Sequence, residues 1–596
     1  MADTATSGGG QWQNSCGRVE LDSTAGELPS NGFTNDDLRP VPVARRTWTT
    51  YNFLALWVGM AHNIPSWTLA SGLVALGMDW KQAVLTIALA NLVVLAPMLL
   101  TGHAGTKYGI PFPVFARAAF GLRGANLPAL IRAAVACAWF GIQTWIGGEG
   151  IFLLAGKLLG ESWCTAGEFG GYPWTQWVSF LLFWLIETAI IARGMETLRR
   201  FENWAAPFVI VGALALLAWI TVKAGGFGPL LDQPSELGWG GGFWKVFFPA
   251  LMGMIGFWST LSLNIPDFTR FGGSQRAQIR GQALGLPTTM TFFALLSVLV
   301  TSGSQAVYGA PVWDPIELAA KMENPVGILF ALLTVLVATL SVNIAANVVS
   351  PAYDLANLLP RLVNFRTGAL ITGVVGIAIF PWRLISDPHV YIFTWLGVVG
   401  GLLGPVAGVL IADYWVLRGT RLQLAELYRP GGVYWYAGGW NWRAVTALLV
   451  GGLLAVGGSY GGPFPADGLL PALKPLADYG WAVGFGAASV LYLVLGAVSG
   501  ARRGGAGRAA DGRRRTSNGE QITDNRFRNL LSVICSPSSV YCHLSAVIGQ
   551  PLLGRRQPVP SSRRPRPRGW RPPPGPGRGS GGRRGSGGWR RRGVWR

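Results

Sequence analysis

The chain is 596 residues long, half of it hydrophobic and only 13% charged, with 83 Gly and 27 Trp. That is a membrane-protein composition, in which Gly and Trp are both enriched. The net charge of +21 resembles the footprint of a nucleic-acid binder, but residues 501–596 hold 22 arginines against three acids (Asp511, Glu520, Asp524), so the excess belongs to the tail and argues for no nucleic-acid partner.

In chain order, residues 1–46 are polar, with neither an apolar core nor a cleavage site. They read as a flexible cytosolic arm, not as a signal peptide. The first apolar stretch, 51–76, is long enough to cross a bilayer, which takes about 20 residues. Its middle carries Gly59, His62, Asn63, Pro65 and Ser66. Pro65 lacks an N–H and its ring clashes with the preceding turn, so the spacing predicts a broken helix. Such a break is tolerated in lipid only where it is buried in protein or lines a cavity. The stretch 243–265, with Gly253, Gly256 and then Pro266, reads as a second broken span. Paired interruptions in two halves of a chain point to a transporter's binding site.

The remaining spans are expected at 82–101, 127–155, 174–192, 204–222, 283–302, 326–350, 368–381, 390–417, 444–458 and 479–498. The total is twelve. Loops that would face the cytoplasm if the N-terminus is inside carry Lys107, Arg117 and Arg123, then Arg199, Arg270, Arg361 and Arg418, among others. The opposite loops hold acids such as Glu161, Asp232 and Asp314. Retention of basic residues on the cytoplasmic side therefore puts the N-terminus inside. The expected architecture is an all-α polytopic membrane protein of twelve helices. Residues 47–500 form the transporter domain: one repeat over about 47–223, an inverted second over about 243–417, and two further helices over about 441–500. Residues 501–596 form an Arg/Gly/Pro-rich tail that cannot bury a core.

Several residues carry chemistry. Trp139 and Gln143 are four apart and share a helix face. An indole plate with an amide one turn away suits a flat, hydrogen-bonding heterocycle, and simple packing is the other reading. Phe257 and Trp258 sit in the sixth span, either against a ligand or as filling for the glycine gaps. Asn343 and Asn347 are again four apart; amides in lipid face a bundle interior or bond across helices. Glu149 and Glu187 fall near or within spans, with Arg193 as a surface partner for Glu187. Neither a GxGxxG after a strand, nor a Walker loop, nor a Ser/His/Asp setting is present, and Cys16, Cys137, Cys164, Cys535 and Cys542 have no metal spacing. The chain reads as a transporter and not an enzyme, without cofactor or obligate protein partner.

The segments NDDLRPVPVARRTWTTYNFLALWVGMAHNIPSW, GTKYGIPFPVFARAAFGLRGANLPAL, AWFGIQTWIGG and NIAANVVSPAYDL occur in order and resemble the nucleobase–cation-symport-1 family. Its members carry cytosine, purines, uracil, allantoin, thiamine and hydantoins. The resemblance spans about residues 35–500, closest to the allantoin and uracil permease branch. It implies a leucine-transporter-like fold of two inverted five-helix repeats plus two helices. It implies substrate contacts at Trp139, Gln143, Phe257, Trp258, Asn347 and Asn63. It also implies a sodium site from backbone carbonyls of Gly59, His62 and Ala338 and from side chains at Ser341 and Val342. Val342 has no side-chain oxygen, so proton coupling competes with sodium. The expected protein is a plasma-membrane symporter importing a nucleobase or ureide by alternating access. An uncoupled facilitator and a non-transporting nutrient sensor are the rival readings.

Overall fold

The computed structural model describes residues 5–7, 11–13, 17–21, 32–193, 195–379, 381–383, 387–461 and 463–510. The chain divides into two units, Met1–Gly507 and Arg508–Arg596. The helical bundle belongs to the first; residues 511–596 lie outside the described residues.

We label the principal helices α1 (Thr50–Ala61), α2 (Ile64–Ala75), α3 (Trp80–Tyr108), α4 (Phe112–Phe120), α5 (Asn126–Leu159), α6 (Trp174–Arg193), α7 (Met195–Lys223), α8 (Gly241–Asn264), α9 (Gln275–Tyr308), α10 (Pro325–Asn347), α11 (Val349–Leu358), α12 (Phe365–Ala378), α13 (Val390–Leu417), α14 (Trp442–Val456) and α15 (Gly480–Ala510). Among the described residues, eight helical stretches are long and apolar enough to cross a membrane, with four shorter apolar helices at Ile64–Ala75, Pro207–Lys223, Phe365–Ala378 and Trp442–Val456. Strand structure among the described residues is limited to a three-stranded antiparallel sheet near the N-terminus and the pair Glu168–Phe169 with Tyr172–Pro173.

The first span is interrupted where Pro65 predicts it. α1 stops at Ala61, and Asn63 is extended (φ −138, ψ 163) before α2 begins. Its amide closes both ends of the gap. Oδ1 accepts from the Ser66 N–H at 2.7 Å, and Nδ2 donates to the Met60 carbonyl at 2.6 Å. Pro65 then occupies the first turn of α2, where a missing N–H costs nothing.

The sixth span corrects its expectation. α8 runs unbroken from Gly241 to Asn264; Ile265 stays in the right-handed region (φ −52, ψ −27), and Pro266 opens one further turn, Pro266–Thr269. Gly253 and Gly256 do not unwind the helix. A Cβ at Gly253 would sit 2.7 Å from the Ile392 carbonyl oxygen, and one at Gly256 would collide with that of Leu396. These glycines let α8 lie backbone-to-backbone on α13, a use of small residues common between membrane helices. The α13 segment itself is wound as a π-helix over Val390–Trp395 and again over Ala412–Leu417. The eighth span carries an unexpected step at Val348 (φ −109, ψ −41), which separates α10 from α11.

Two boundaries also change. Residues 32–46 are docked instead of extending freely as an arm. Leu38 and Arg46 are buried. The Arg46 guanidinium donates to the carbonyls of Val41 (2.8 Å), Val19 (3.0 Å), Lys107 (3.2 Å) and Tyr108 (3.2 Å). Five donors on one planar group fill a site lined by carbonyls, which a lysine point charge cannot do equally well. At the other end, helix α15 continues to Ala510, past the expected start of the tail at 501.

Replacing Gly256 with Val should force α8 away from Leu396. Overpacking of this kind costs about 1–3 kcal/mol or more. The expected outcome is a drop of several degrees in the thermal midpoint of the detergent-solubilised protein, whereas Gly452→Val, at a position with open space beside it, should leave it unchanged.

Candidate substrate and cation site

The candidate substrate residues are buried and meet around α5. The Trp139 ring packs edge-on against Phe257 (centroids 5.3 Å), and Phe257 packs edge-on against Trp258 (4.9 Å). Trp258 in turn meets Trp57 of α1 at 5.2 Å. One turn above Trp139 lies Gln143, whose Oε1 is buried without a partner, as is the Trp258 indole N–H. Buried polar groups normally find partners; these two orphans, with the indole N–H groups of Trp57 and Trp395 around the same rings, leave polar atoms open to a ligand.

Asn347 and Asn343 approach from α10. Asn347 Nδ2 donates to Asn343 Oδ1 at 2.9 Å, and Asn343 Nδ2 donates to the Phe140 carbonyl at 3.0 Å and to Glu187 Oε1 at 2.7 Å. Thr144, next to Gln143, donates to Glu187 Oε2 at 2.7 Å. Glu187 is thus buried inside the bundle among neutral donors. Its expected partner Arg193 has a side chain outside the described residues. Asn63 differs from the other amides: its side chain is committed to backbone in the first-span gap.

The candidate cation residues lie on α1 and α10, which pack against each other. His62 follows α1 with non-helical torsions (φ −89, ψ 72), and its Nδ1 sits 2.5 Å from the Val58 carbonyl. Open space lies beside Gly59. Ala338, Ser341 and Val342 are buried on α10, and the nearby Thr339 hydroxyl is unpartnered. Of the two side chains expected to bind sodium, Ser341 alone brings an oxygen. A hard cation prefers several oxygen ligands, so the set fits sodium only in part.

Tyr391 and Trp395 were not among the candidate residues, yet both rings border Trp139, at 6.3 and 5.9 Å. The Tyr391 hydroxyl donates to the Pro65 carbonyl at 3.0 Å, tying the π-wound start of α13 to the gap after α1. Tyr391 lies in the π-wound segment Val390–Trp395, and no spacing rule in the sequence announces such a segment.

A cavity of about 300 Å³ rises from Ile64, Pro65 and Tyr391 past Ile142, Ile146 and Glu149 to Tyr172, Asp314, Glu317 and Trp382. Trp139 lies one turn deeper along the same α5 face, where the rings fill the space. On the opposite side, where the basic loops are, the bundle is closed by buried polar contacts. Arg132 Nη1 and Asp354 Oδ2 form an ion pair at 3.3 Å with both side chains fully buried. Asp267 Oδ1 accepts the Phe112 N–H at 2.7 Å, and Asn264 donates to Ser350.

A bundle with a gap in its first crossing, a solvent-reaching cavity ending at that gap and a polar lock beyond it is the architecture of a membrane transporter. The chain belongs to the family of permeases for cytosine/purines, uracil, thiamine and allantoin, whose model matches residues 40–484. It is 42% identical over 478 residues to an allantoin permease of Bacillus subtilis, covering 78% of this chain and 94% of that one. It is 43% identical over 444 residues to a purine-uracil permease of Arabidopsis thaliana, covering 72% and 73%. Among solved structures it is similar to Mhp1, a nucleobase-cation-symport-1 family transporter, in a closed conformation with bromovinylhydantoin bound. The TM-score is 0.62 at 25% identity, over 77% of this chain and 94% of that one.

Breaking a buried pair by removing one partner costs about 3–5 kcal/mol, whereas replacing both with apolar groups is often neutral. Arg132→Met should therefore lower the thermal midpoint sharply, and Arg132→Met with Asp354→Leu should restore most of the loss. A double variant as unstable as the single one would show that the two side chains do not act as a pair.

Proposed function

We propose that this permease is a secondary active transporter of the plasma membrane that imports a planar nucleobase or ureide together with a cation. The eight long helical stretches and four shorter helices supply twelve crossings, with α1 and α2 sharing the first. We take crossings one to five and six to ten as inverted repeats, and the N-terminus as cytoplasmic. The observation that carries the reading is the pair of buried orphans, Gln143 Oε1 and the Trp258 N–H, beside the rings of Trp139 and Phe257. A flat ligand entering between these rings meets one acceptor and one donor, the complement of an N–H and a C=O on a heterocycle or ureide. Asn347 closes the edge from α10. Asn63 is also the hinge of the first span: one N–H and one lone pair of its amide serve backbone, which leaves a second N–H and a second lone pair for a ligand. Names of the relatives support the solute class: allantoin for the bacterial permease, purines and uracil for the plant one.

On the proposed orientation, the cavity opens outward and the Arg132–Asp354 lock lies inward. Solute entering from outside displaces the ring contacts over Trp139. Release inward then requires the lock to part. Asp314 and Glu317 at the cavity wall make the entrance attractive to cations.

Uptake of labelled allantoin, uracil, cytosine and hydantoin into vesicles under imposed sodium or proton gradients tests the reading. Accumulation above equilibration of at least one solute is expected; equilibration alone would leave a facilitator, and binding without uptake a sensor. Trp139→Ala should weaken binding of that solute by roughly 10-fold or more, since stacking on an aromatic face is worth about 1–3 kcal/mol per base. Isothermal titration on folded protein measures it, and unchanged affinity would put the stacking plate elsewhere.

A further inference from the structure

The coupling ion leaves a trace in the polar chain behind Asn347. We propose that Glu187 is the proton-carrying group of this transporter, and that it acts on the solute through Asn343 and Asn347. The inference rests on the transport reading and assigns its cation.

Geometry carries the argument. Glu187 is fully buried on α6, and among the described residues its hydrogen-bond partners are Thr144 of α5 and Asn343 of α10. Both partners are neutral. No Arg, Lys or His with a described side chain lies within ion-pair distance of it, so a proton is the cation at hand to neutralise it. The elements packed on α6 bear this out. α10 has no ionisable side chain. α12 has Arg366 at its first turn, and α5 has Arg132, Cys137, Glu149 and Lys157, of which Arg132 is engaged by Asp354. α7 has Lys223 at its far end, while the side chains of Glu196, Arg199, Arg200 and Glu202, like that of Arg193 on α6, lie outside the described residues.

The donors around Glu187 accommodate both protonation states with no heavy atom displaced. With the carboxylate ionised, the Thr144 hydroxyl donates to Oε2 and Asn343 Nδ2 donates to Oε1. When a proton binds, an O–H bond forms on Oε2 and points at Thr144 Oγ1. The Thr144 hydrogen then turns to the Phe140 carbonyl, 2.7 Å away. The neutral acid holds Asn343 Nδ2 less strongly, because hydrogen bonds to an ionised acceptor are about twice as strong as neutral ones. Asn343 Oδ1 accepts from Asn347 Nδ2. A less strongly held Asn343 holds Asn347 Nδ2 less strongly in turn, so the Asn347 amide turns more readily to a solute carbonyl. Proton and solute favour each other's binding, and linkage makes the effect reciprocal. Release of the proton from Oε2 on the other side restores the starting state. Glu187 touches no solute and is a positioning residue.

The test uses the full-length protein and the solute bound most tightly in the uptake panel. Affinity in the wild type should rise as pH falls, by roughly 5- to 150-fold, the usual range of coupling between two sites. Glu187→Gln, which keeps the shape of the neutral acid, should bind tightly at every pH, exchange external for internal solute, and fail to accumulate it on an imposed proton gradient. A Glu187→Gln protein that retains gradient-driven accumulation, or the wild-type pH profile, overturns the proposal. Should that variant not fold, proton movement in wild-type vesicles decides. Solute addition should carry protons inward with it, and solute uptake without proton uptake overturns the assignment. Wild-type accumulation on a sodium gradient alone would overturn it and leave the transport reading standing. Failure of the wild type to bind any solute in the panel would remove both.

Discussion

Peptide groups in a hydrocarbon layer have to be satisfied by protein, since no water reaches them, and an unpaired one costs several kcal/mol. The gap between Ala61 and Ile64 is where this constraint bears hardest on the fold. The Met60 carbonyl and the Ser66 N–H at its two ends are met by Asn63, and the first turn of α2 beyond it takes further donors, Tyr391 on the Pro65 carbonyl and Ser297 on the Trp67 carbonyl at 2.8 Å. These donors come from different parts of the chain. The start of α2 is thus tied to both α9 and α13, and Tyr391 of α13 also lines the cavity.

The same accounting explains why the two halves of the bundle differ. In the first crossing, Pro65 follows an Asn that can cap, and the helix stops. In the sixth, Pro266 follows Asn264 and Ile265 in the same tripeptide order, yet Asn264 turns to Ser350 and the chain stays helical. An identical local string gives two outcomes because the asparagine finds a side-chain partner across the interface in one case and backbone in the other. Tertiary contact decides between them.

Much of the fold was legible in the sequence. Spans showed as apolar runs, and the first break as a proline next to polar residues. The pairing of Trp139 with Gln143, and of Asn343 with Asn347, followed from spacing alone. What was hidden depended on distant partners. Gly253 and Gly256 read as weak points in a helix and are contact points for α13. Tyr391 lies in a π-wound segment. Glu187 looked like a residue near a membrane surface, because Thr144 and Asn343 lie far from it in sequence. Residues 32–46 looked free because an arginine that gathers four carbonyls is, in a string of letters, only another positive charge.

The Arg46 clasp ties the docked stretch before α1 to the end of α3, while Arg270 grips the same stretch through the Asp37 and Arg39 carbonyls at 3.0 and 2.6 Å. Arg270 directly follows the single turn that ends the sixth crossing. The stretch is thereby a strap stitched to two crossings that also pack directly on each other. On the orientation proposed above, whatever pulls on this stretch pulls on the inward end of the bundle, where Arg132 pairs with Asp354.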